Sequence, residues 1–187
     1  MKKNHLFLGL CIILILLSPL LSQAKLIKSV GIGGGLSAPK GTWDPGFAIL
    51  AQTDVGEIMD YLFLFPFINY SQARKTETIG DISKDLTIQY LGGGAKLVGY
   101  INSKPQGFYC GGSLSFQYIH FDSFNPDNVS KYSEVNQIKT TKIGFGGLVG
   151  YLFILKPLSI FLEADYAFMQ NNLNNLSVFT GINFNIR

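Results

Sequence analysis

The sequence LSIFLEADYAF, residues 158–168, alternates between two kinds of side chain. Its even-numbered positions carry Leu, Ile, Leu, Ala, Tyr and Phe, whereas Glu163 and Asp165 stand at odd-numbered ones. Successive side chains of a β-strand point to opposite sides, so the segment predicts a strand with one apolar and one polar face. In a soluble protein the apolar face is buried. In a membrane barrel it meets lipid, and the carboxylates point into the lumen.

Residues 1–24 predict a cleaved export signal. Two lysines precede an apolar run at residues 6–21, and residues 22–24, Ser-Gln-Ala, suit recognition by a signal peptidase. The run is short for a spanning helix, which needs about 20 residues, and Pro19 suits a cleavage region. An uncleaved anchor is the alternative. Cys11 lies inside the apolar run, so a lipoprotein site is not predicted.

The remaining residues, 25–187, are enough for one domain. Removing Lys2 and Lys3 with the signal leaves 13 basic against 12 acidic residues, so no nucleic-acid partner is expected. Cys110 is the one cysteine in this part of the sequence, and it has no partner for an intrachain disulfide. Stability is therefore expected from closed hydrogen bonding or from burial.

Eight segments rich in β-branched, aromatic and glycine residues predict eight strands. They are residues 29–38, 46–53, 61–71, 86–100, 108–121, 138–154, 158–168 and 177–186. The odd-numbered connections, residues 39–45, 72–85, 122–137 and 169–176, total 45 residues. The even-numbered ones, residues 54–60, 101–107 and 155–157, total 17, although the first and second connections are equal in length. This asymmetry predicts an up-and-down meander with its longer loops at one end, as in outer-membrane barrels.

Glycine clusters recur in four of the predicted strands. They are Gly31, Gly33, Gly34 and Gly35; Gly92, Gly93 and Gly94; Gly111 and Gly112; and Gly144, Gly146 and Gly147. Glycine helps a small barrel to bend and leaves room for large lumen side chains. The first cluster opens no predicted helix and no lysine follows it, so neither a nucleotide-binding loop nor a cofactor is expected.

The third predicted strand departs from the alternation. Residues 61–68 read YLFLFPFI and are apolar on both faces, so large rings are expected inside the lumen. Pro66 has no N–H for the ladder, and a local irregularity is expected there. Aromatic girdles are predicted at both ends of the barrel. They comprise Tyr61, Tyr100, Phe108, Tyr151 and Phe184 near the short connections, and Tyr70, Tyr118 and Phe168 near the long ones.

Taken together, these features resemble the small eight-stranded outer-membrane proteins of the OmpA-like transmembrane domain and OmpX-like families. A closing strand of alternating character looks like the signal read by the outer-membrane assembly machinery. Its alternate positions are Val178, Thr180, Ile182, Phe184 and Ile186. Family members usually end on an aromatic residue, whereas this sequence ends Ile186-Arg187. The resemblance implies an all-β, eight-stranded antiparallel transmembrane barrel of the Gram-negative outer membrane, with membrane lipid and that machinery as partners.

The lumen is the first place to look for function. Eight strands enclose a space that side chains nearly fill, so a wide, porin-like pore is not expected. The candidates for lumen ion pairs are Glu163 and Asp165 on one strand, Lys142 on the neighbouring strand, and Lys96. Opposite charges inside a barrel form a structural network more often than an acid–base site, which favours a structural role.

Catalysis is not predicted. His120 lies near Asp122, Ser123 and Glu134, and outer-membrane lipid A deacylases use a histidine, a serine and an acid on a barrel of this size. Their histidine and serine are separated by one residue and followed by asparagine. Here two residues separate His120 from Ser123, and Phe124 follows, so the motif is not matched. No cluster of cysteine and histidine suggests a metal.

The two longest connections are polar and are predicted to be surface loops. The candidates for surface contacts are Arg74 and Lys75 in the first and Phe124 and Tyr132 in the second. Exposed loops often carry binding, so an extracellular ligand or a host surface is the expected partner. The leading interpretation is a non-enzymatic structural or surface-interaction protein of the outer membrane. The alternatives are a narrow transporter of small or apolar molecules, and a soluble periplasmic barrel that binds an apolar ligand.

Overall fold

A computed structural model describes residues 27–79, 82–102, 105–124 and 135–186, which form nine strands. They are β1 (Ser29–Pro39), β2 (Asp44–Asp54), β3 (Glu57–Met59), β4 (Leu62–Ile79), β5 (Ile82–Tyr100), β6 (Gly107–Phe124), β7 (Val135–Leu155), β8 (Leu158–Met169) and β9 (Asn175–Asn185). Within these ranges a 3-10 turn, Gln170–Asn172, precedes β9. Within these ranges no helix is long and apolar enough to cross a membrane. The predicted export signal lies outside the described residues.

Eight of the strands close an antiparallel barrel. Each pairs with its neighbour along the chain, β1 pairs with β9, and β2 pairs with β4. The remaining strand, β3, has three residues and forms a small hairpin with the start of β4. It lies in a connection that was predicted to be a loop. It adds no strand to the barrel wall. The predicted all-β, eight-stranded, antiparallel barrel is confirmed.

The two ends of the barrel differ in how their strands are joined. We call one end the turn end and the opposite end the hairpin end. The turn end holds residues 55–61, 101–102, 105–106 and 156–157. The described chain also begins and ends there, because the Ile186 N–H donates to the Lys28 carbonyl at 2.9 Å.

Long paired hairpins project at the hairpin end. The β4–β5 ladder continues in register to Ile79 opposite Ile82, and the β6–β7 ladder continues to Phe124 opposite Val135. Residues 72–85 were predicted to be a loop, and this prediction is wrong for nearly all of them. Ala73 is buried, but residues 74–78 and 83–85 are at least partly exposed on both faces, so their polar character reflects solvent on both faces of a strand.

The barrel has an apolar outer face and a largely filled interior. On the outer face Ile32, Ile68 and Phe145 are 58%, 64% and 64% exposed. On the inner face of β5, Lys96 and Val98 are buried. Tyr100 shares that inner face and is also buried, so it does not belong to the predicted girdle.

The expected irregularity at Pro66 falls on one side of β4. Opposite β5 the register is continuous through Pro66. The regular ladder with β2 ends at Gln52 opposite Phe67, and the next bond runs from the Val55 N–H to the Leu64 carbonyl at 3.1 Å. The break coincides with a residue that has no backbone hydrogen to donate.

Candidate functional site

A buried ion pair crosses the middle of the barrel. Lys96 of β5 donates through Nζ to Oε1 of Glu163 of β8, and both side chains are at most 2% exposed. Lys96 Nζ also donates to Gln52 Oε1 at 3.3 Å, and the Tyr109 hydroxyl donates to Glu163 Oε2 at 3.1 Å. Buried charges are tolerated when they are paired and hydrogen-bonded. This network of four side chains from four strands meets that requirement.

Aromatic rings fill the interior between the ion pair and the turn end. The rings of Phe63 and Tyr100 meet edge to face at 5.3 Å and 87°, and those of Tyr100 and Tyr109 lie 5.4 Å apart. Phe65 and Val98 belong to the same buried group, which we call the aromatic cluster. The cavity left beside it has a volume of about 10 Å³. That is room for one water molecule at most.

The interior on the other side of the ion pair is polar, and we call it the polar chamber. Its cavity also has a volume of about 10 Å³. The polar side chains that line it are Asn69, Ser113, Ser115, Gln117, Asp165, Asn175 and Ser177. Gln117 Nε2 donates to Ser115 Oγ at 3.2 Å and to Asn69 Oδ1 at 3.4 Å. Gln117 Oε1 and Asp165 Oδ1 are buried and have no hydrogen-bond partner in the described structure.

An apolar group closes the polar chamber toward the hairpin end. Ile88, Tyr90, Ile119 and Met169 form its buried part, and Trp43 packs against them from the β1–β2 connection. Tyr90 and Met169 also line the chamber. In the part of the chain that is described, side chains therefore occupy the interior from one end to the other.

Glycines on the inner face make room for these large polar side chains. A Cβ built on Gly150 would collide with the Tyr109 ring, and one built on Gly92 would collide with the Gln117 amide. The opposite face has no such crowding, because a Cβ on Gly147 would meet nothing within 4 Å. The glycine clusters thus permit the close approach of specific side chains as well as strand curvature.

The structure brings only some of the predicted lumen residues together. Lys96 and Glu163 form the ion pair, whereas no ion pair joins Asp165 or Lys142 within the described ranges. Lys142 pairs across β6–β7 with Gln117, and Asp165 pairs across β7–β8 with Leu148. The six residue steps from Lys142 to Leu148 span about 20 Å of strand, which exceeds the reach of a lysine side chain.

The predicted surface residues that the structure describes lie at the hairpin end. Arg74 and Lys75 are in β4, and Lys75 pairs with Glu77 at 3.0 Å while its Nζ lies 5.1 Å from the Trp43 ring centroid. Phe124 is the last residue of β6. Tyr132 lies outside the described residues.

Two network members, Gln52 and Tyr109, are absent from the sequence-predicted site. A signal for both was present, because Gln52 shares strand parity with the buried Ala48 and Leu50, and Tyr109 shares it with Ser115. Strand parity could not show that the Tyr109 hydroxyl contacts Glu163 or that the Gln52 amide contacts Lys96. That contact depends on how strands far apart in sequence face one another across the barrel.

His120, the residue tested for catalysis, alternates onto the same face of β6 as Tyr118. Its Nε2 is buried and has no hydrogen-bond partner in the described structure. Across the ranges described, no group of three or more histidine, cysteine, aspartate or glutamate side chains is placed to hold a metal ion. Of the residues considered with His120, Asp122 accepts a hydrogen bond through Oδ2 from the Thr87 N–H at 3.1 Å, and Glu134 lies outside the described residues.

Both projecting hairpins have a free edge among the described strands. Pairing of β7 with β8 begins only at Gly144 opposite Met169, so residues 135–143 of β7 pair with β6 alone. Pairing of β2 with β4 reaches no further than Asp44 opposite Arg74, so residues 75–79 of β4 pair with β5 alone. A free edge presents unpaired N–H and C=O groups to whatever lies beside it.

A closed eight-stranded antiparallel barrel with an apolar outer face and a filled interior is the fold of the small outer-membrane barrels. Three solved structures are similar to this chain over 85% or 86% of its length. Neisserial surface protein A (NspA) is 11% identical with a TM-score of 0.51, and the match covers 96% of that chain. Ail, the attachment invasion locus protein of Yersinia pestis, is 14% identical with a TM-score of 0.48 and 97% coverage of that chain.

The third is the N-terminal β-barrel domain of Pseudomonas aeruginosa OprF, 11% identical with a TM-score of 0.45 and 98% coverage of that chain. No protein-family model and no curated protein matches the sequence. Sequence identities of 11% to 14% show similarity of fold alone. For the fold, the resemblance to small eight-stranded outer-membrane barrels is confirmed.

Proposed function

We propose that this protein is a non-enzymatic barrel of the Gram-negative outer membrane, with a structural or surface-interaction role carried by its projecting hairpins. The observation that carries the proposal is the apolar outer face. Large side chains such as Ile32, Ile68 and Phe145 are more than half exposed on it. The hydrocarbon chains of a bilayer can contact such a surface favourably, whereas soluble monomers rarely expose a continuous apolar band.

The backbone supports the same placement. Hydrocarbon offers no hydrogen bonds to N–H and C=O groups, so a β-structure can cross it only when closed. The wall closes between β1 and β9 over a continuous register from Ser29 opposite Asn185 to Pro39 opposite Asn175. The free edges of β4 and β7 lie only in the projecting hairpins, where water or a partner can satisfy them.

The two alternatives fit the geometry less well. A soluble barrel that binds an apolar ligand needs a roomy apolar cavity, and the cavities on either side of the ion pair hold about 10 Å³ each in the described structure. A transporter needs a path through the barrel, and the aromatic cluster, the ion pair and the Trp43 group occupy it in turn. The filled interior therefore favours a structural role for the lumen side chains over ligand binding or transport.

The projecting hairpins support a role in surface contacts. Residues 135–143 of β7 offer a free strand edge at the hairpin end, and an extended peptide can add to such an edge through main-chain hydrogen bonds. Lys139 and Lys142 lie in this segment, and charged edge residues limit indiscriminate strand pairing. We propose that a protein partner at the cell surface contacts this edge or the β4–β5 hairpin.

Membrane fractionation and gel mobility test the location. We expect the protein in the outer-membrane fraction, with faster gel migration before boiling than after, because the closed barrel resists unfolding in detergent. Recovery in the soluble periplasmic fraction without detergent would favour the ligand-binding alternative. The mass of the extracted protein tests the export signal, and cleavage after Ala24 predicts a first residue of Lys25.

Cysteine labelling on intact cells tests the orientation of the hairpins. In a Cys110→Ser background, Thr78→Cys near the tip of the β4–β5 hairpin should react with a membrane-impermeant maleimide. Asn102→Cys, at the turn end, is the matched control and should react only after lysis. Both parent residues are exposed, so a difference reports the side of the membrane and not burial. Labelling of Asn102→Cys alone on intact cells would reverse the proposed orientation.

A further inference from the structure

The free edge of β7 carries positive charge that no described side chain neutralises. Residues 135–143 contain two charged side chains, Lys139 and Lys142, of which the first is exposed and the second half-buried. No ion pair joins either lysine within the described ranges. Asp122 lies on the adjoining strand, but its Oδ2 accepts a hydrogen bond from the Thr87 N–H at 3.1 Å. The unpaired backbone groups of this edge are therefore flanked by cations.

The free edge of β4 differs in its charge. Residues 75–79 contain Lys75 and Glu77, which pair with each other at 3.0 Å, so the charge is balanced within the strand. Lysines on an edge strand discourage pairing with other chains in general. A chain that carries carboxylates is the exception, because opposite charges across a strand pair attract.

The spacing of the two lysines on β7 restricts what can contact both. Lys139 and Lys142 are three positions apart, so their side chains project from opposite faces of the strand. Lys139 has the parity of the exposed Ile143, and Lys142 has the parity of the buried Leu148. A lipid surface lies on one side of the strand and would meet one lysine. An extended chain along the edge meets both, because its own side chains alternate in the same way.

We propose that the β7 edge binds an extended acidic peptide segment as an added antiparallel strand, with two carboxylates three positions apart. The inference rests on the surface-interaction role proposed above and specifies the partner. The added strand continues the place that the antiparallel β8 occupies lower on β7. Its residue opposite Lys142 comes three positions before the one opposite Lys139, and the next residue faces Ile138, which is 40% exposed. The preferred segment therefore reads acidic, any, any, acidic, apolar.

Peptide binding to the full-length barrel in zwitterionic nanodiscs tests this pattern, with the anisotropy of a labelled peptide as the readout. The first peptide carries two glutamates three positions apart, followed by valine. The second has the same composition with the glutamates two positions apart, on one face. A third replaces both glutamates with lysine. We expect the first to bind most tightly and to weaken as salt rises, and the second to bind about fivefold more weakly, since it reaches one lysine only. The third should not bind.

Charge reversal on the protein locates the contact. Lys139→Glu and Lys142→Glu should each weaken binding of the first peptide by about tenfold, because an attraction becomes a repulsion. Lys156→Glu at the turn end changes the net charge equally and should leave the affinity unchanged, since Lys156 is exposed at the opposite end. The double variant Lys139→Glu/Lys142→Glu should bind the lysine peptide instead. A retained boiling-dependent gel shift shows that each variant is folded.

N-methylated forms of the first peptide test the main-chain contact without changing its charge. Only alternate amides of an added strand face the edge, so methylating one alternate set should abolish binding and methylating the other should not. Equal binding of both methylated peptides would overturn strand addition. If the acidic and lysine peptides bind alike, the edge still makes surface contacts, but the acidic preference is wrong. If no peptide binds, the lysines only discourage pairing; the inference is then wrong, while the outer-membrane location stands on its own tests.

Discussion

Glu163 and Glu77 each pair with a lysine, but in very different surroundings. Glu163 is 2% exposed, whereas Glu77 is 39% exposed. Removing one partner of a buried pair leaves a buried charge and costs about 3–5 kcal/mol, whereas an exposed pair contributes about 0–1 kcal/mol. We therefore expect Glu163→Gln to destabilise the barrel by several kcal/mol and Glu77→Gln to have little effect. Urea unfolding in lipid vesicles, followed by the fluorescence of Trp43, measures both.

The double variant Lys96→Met/Glu163→Gln distinguishes the effect of the two charges from the effect of side-chain volume. It removes both charges and keeps most of the volume, so it should recover a large part of the stability lost in Glu163→Gln. If the double variant is as unstable as the single one, packing and not charge controls this position.

Gly150 and Gly147 lie on opposite faces of β7 and form a matched pair. A Cβ at Gly150 would press into the Tyr109 ring and lie 2.7 Å from the Leu162 carbonyl oxygen, whereas one at Gly147 would meet nothing within 4 Å. Overpacking typically costs about 1–3 kcal/mol. We expect Gly150→Ala to lose that amount and Gly147→Ala to stay within about 0.5 kcal/mol of the wild type. Similar losses in both would show that strand flexibility, not the contact with Tyr109, explains these glycines.

At the scale of the strand, the β4–β5 hairpin is expected to be separable from the barrel. Residues 76–85 lie beyond the last pairing of β2 with β4, at Arg74. Replacing them with an Asn-Gly turn keeps Lys75 opposite Leu86 and lets a two-residue turn close the hairpin. We expect the shortened protein to reach the outer membrane and to keep its boiling-dependent gel shift. Loss of that shift would mean that the hairpin takes part in folding the barrel.

Strands inside the wall were easier to predict than the projecting hairpins. Within the wall one face is apolar, so alternation marks residues 158–168 as a strand, and β8 spans Leu158–Met169. In residues 72–85 both faces carry polar groups, including Arg74 and Glu77, and the alternation disappears. Pairing there is held by the register with the opposite strand, which a single segment does not reveal.

For the whole molecule, the filled interior predicts a barrel that does not conduct ions continuously. We expect no steady current from the wild-type protein in a planar bilayer, and none from Glu163→Gln, because the aromatic cluster and the group around Trp43 remain. A large porin incorporated in the same way is the positive control. A steady current that appears in Glu163→Gln would favour the transporter alternative and make the ion pair its gate.

Segment composition and the lengths of the connections were enough to predict an eight-stranded barrel, and alternation gave the apolar side of strands such as residues 158–168, though not of residues 61–68. These are local properties, because side chains alternate along any strand with a period of two. Only the tertiary structure shows which charged side chains form an ion pair. Lys96 and Glu163 are 67 residues apart and touch because closure brings β5 and β8 face to face across the interior. Lys142 has the same charge, but its position along β7 leaves it too far from Asp165.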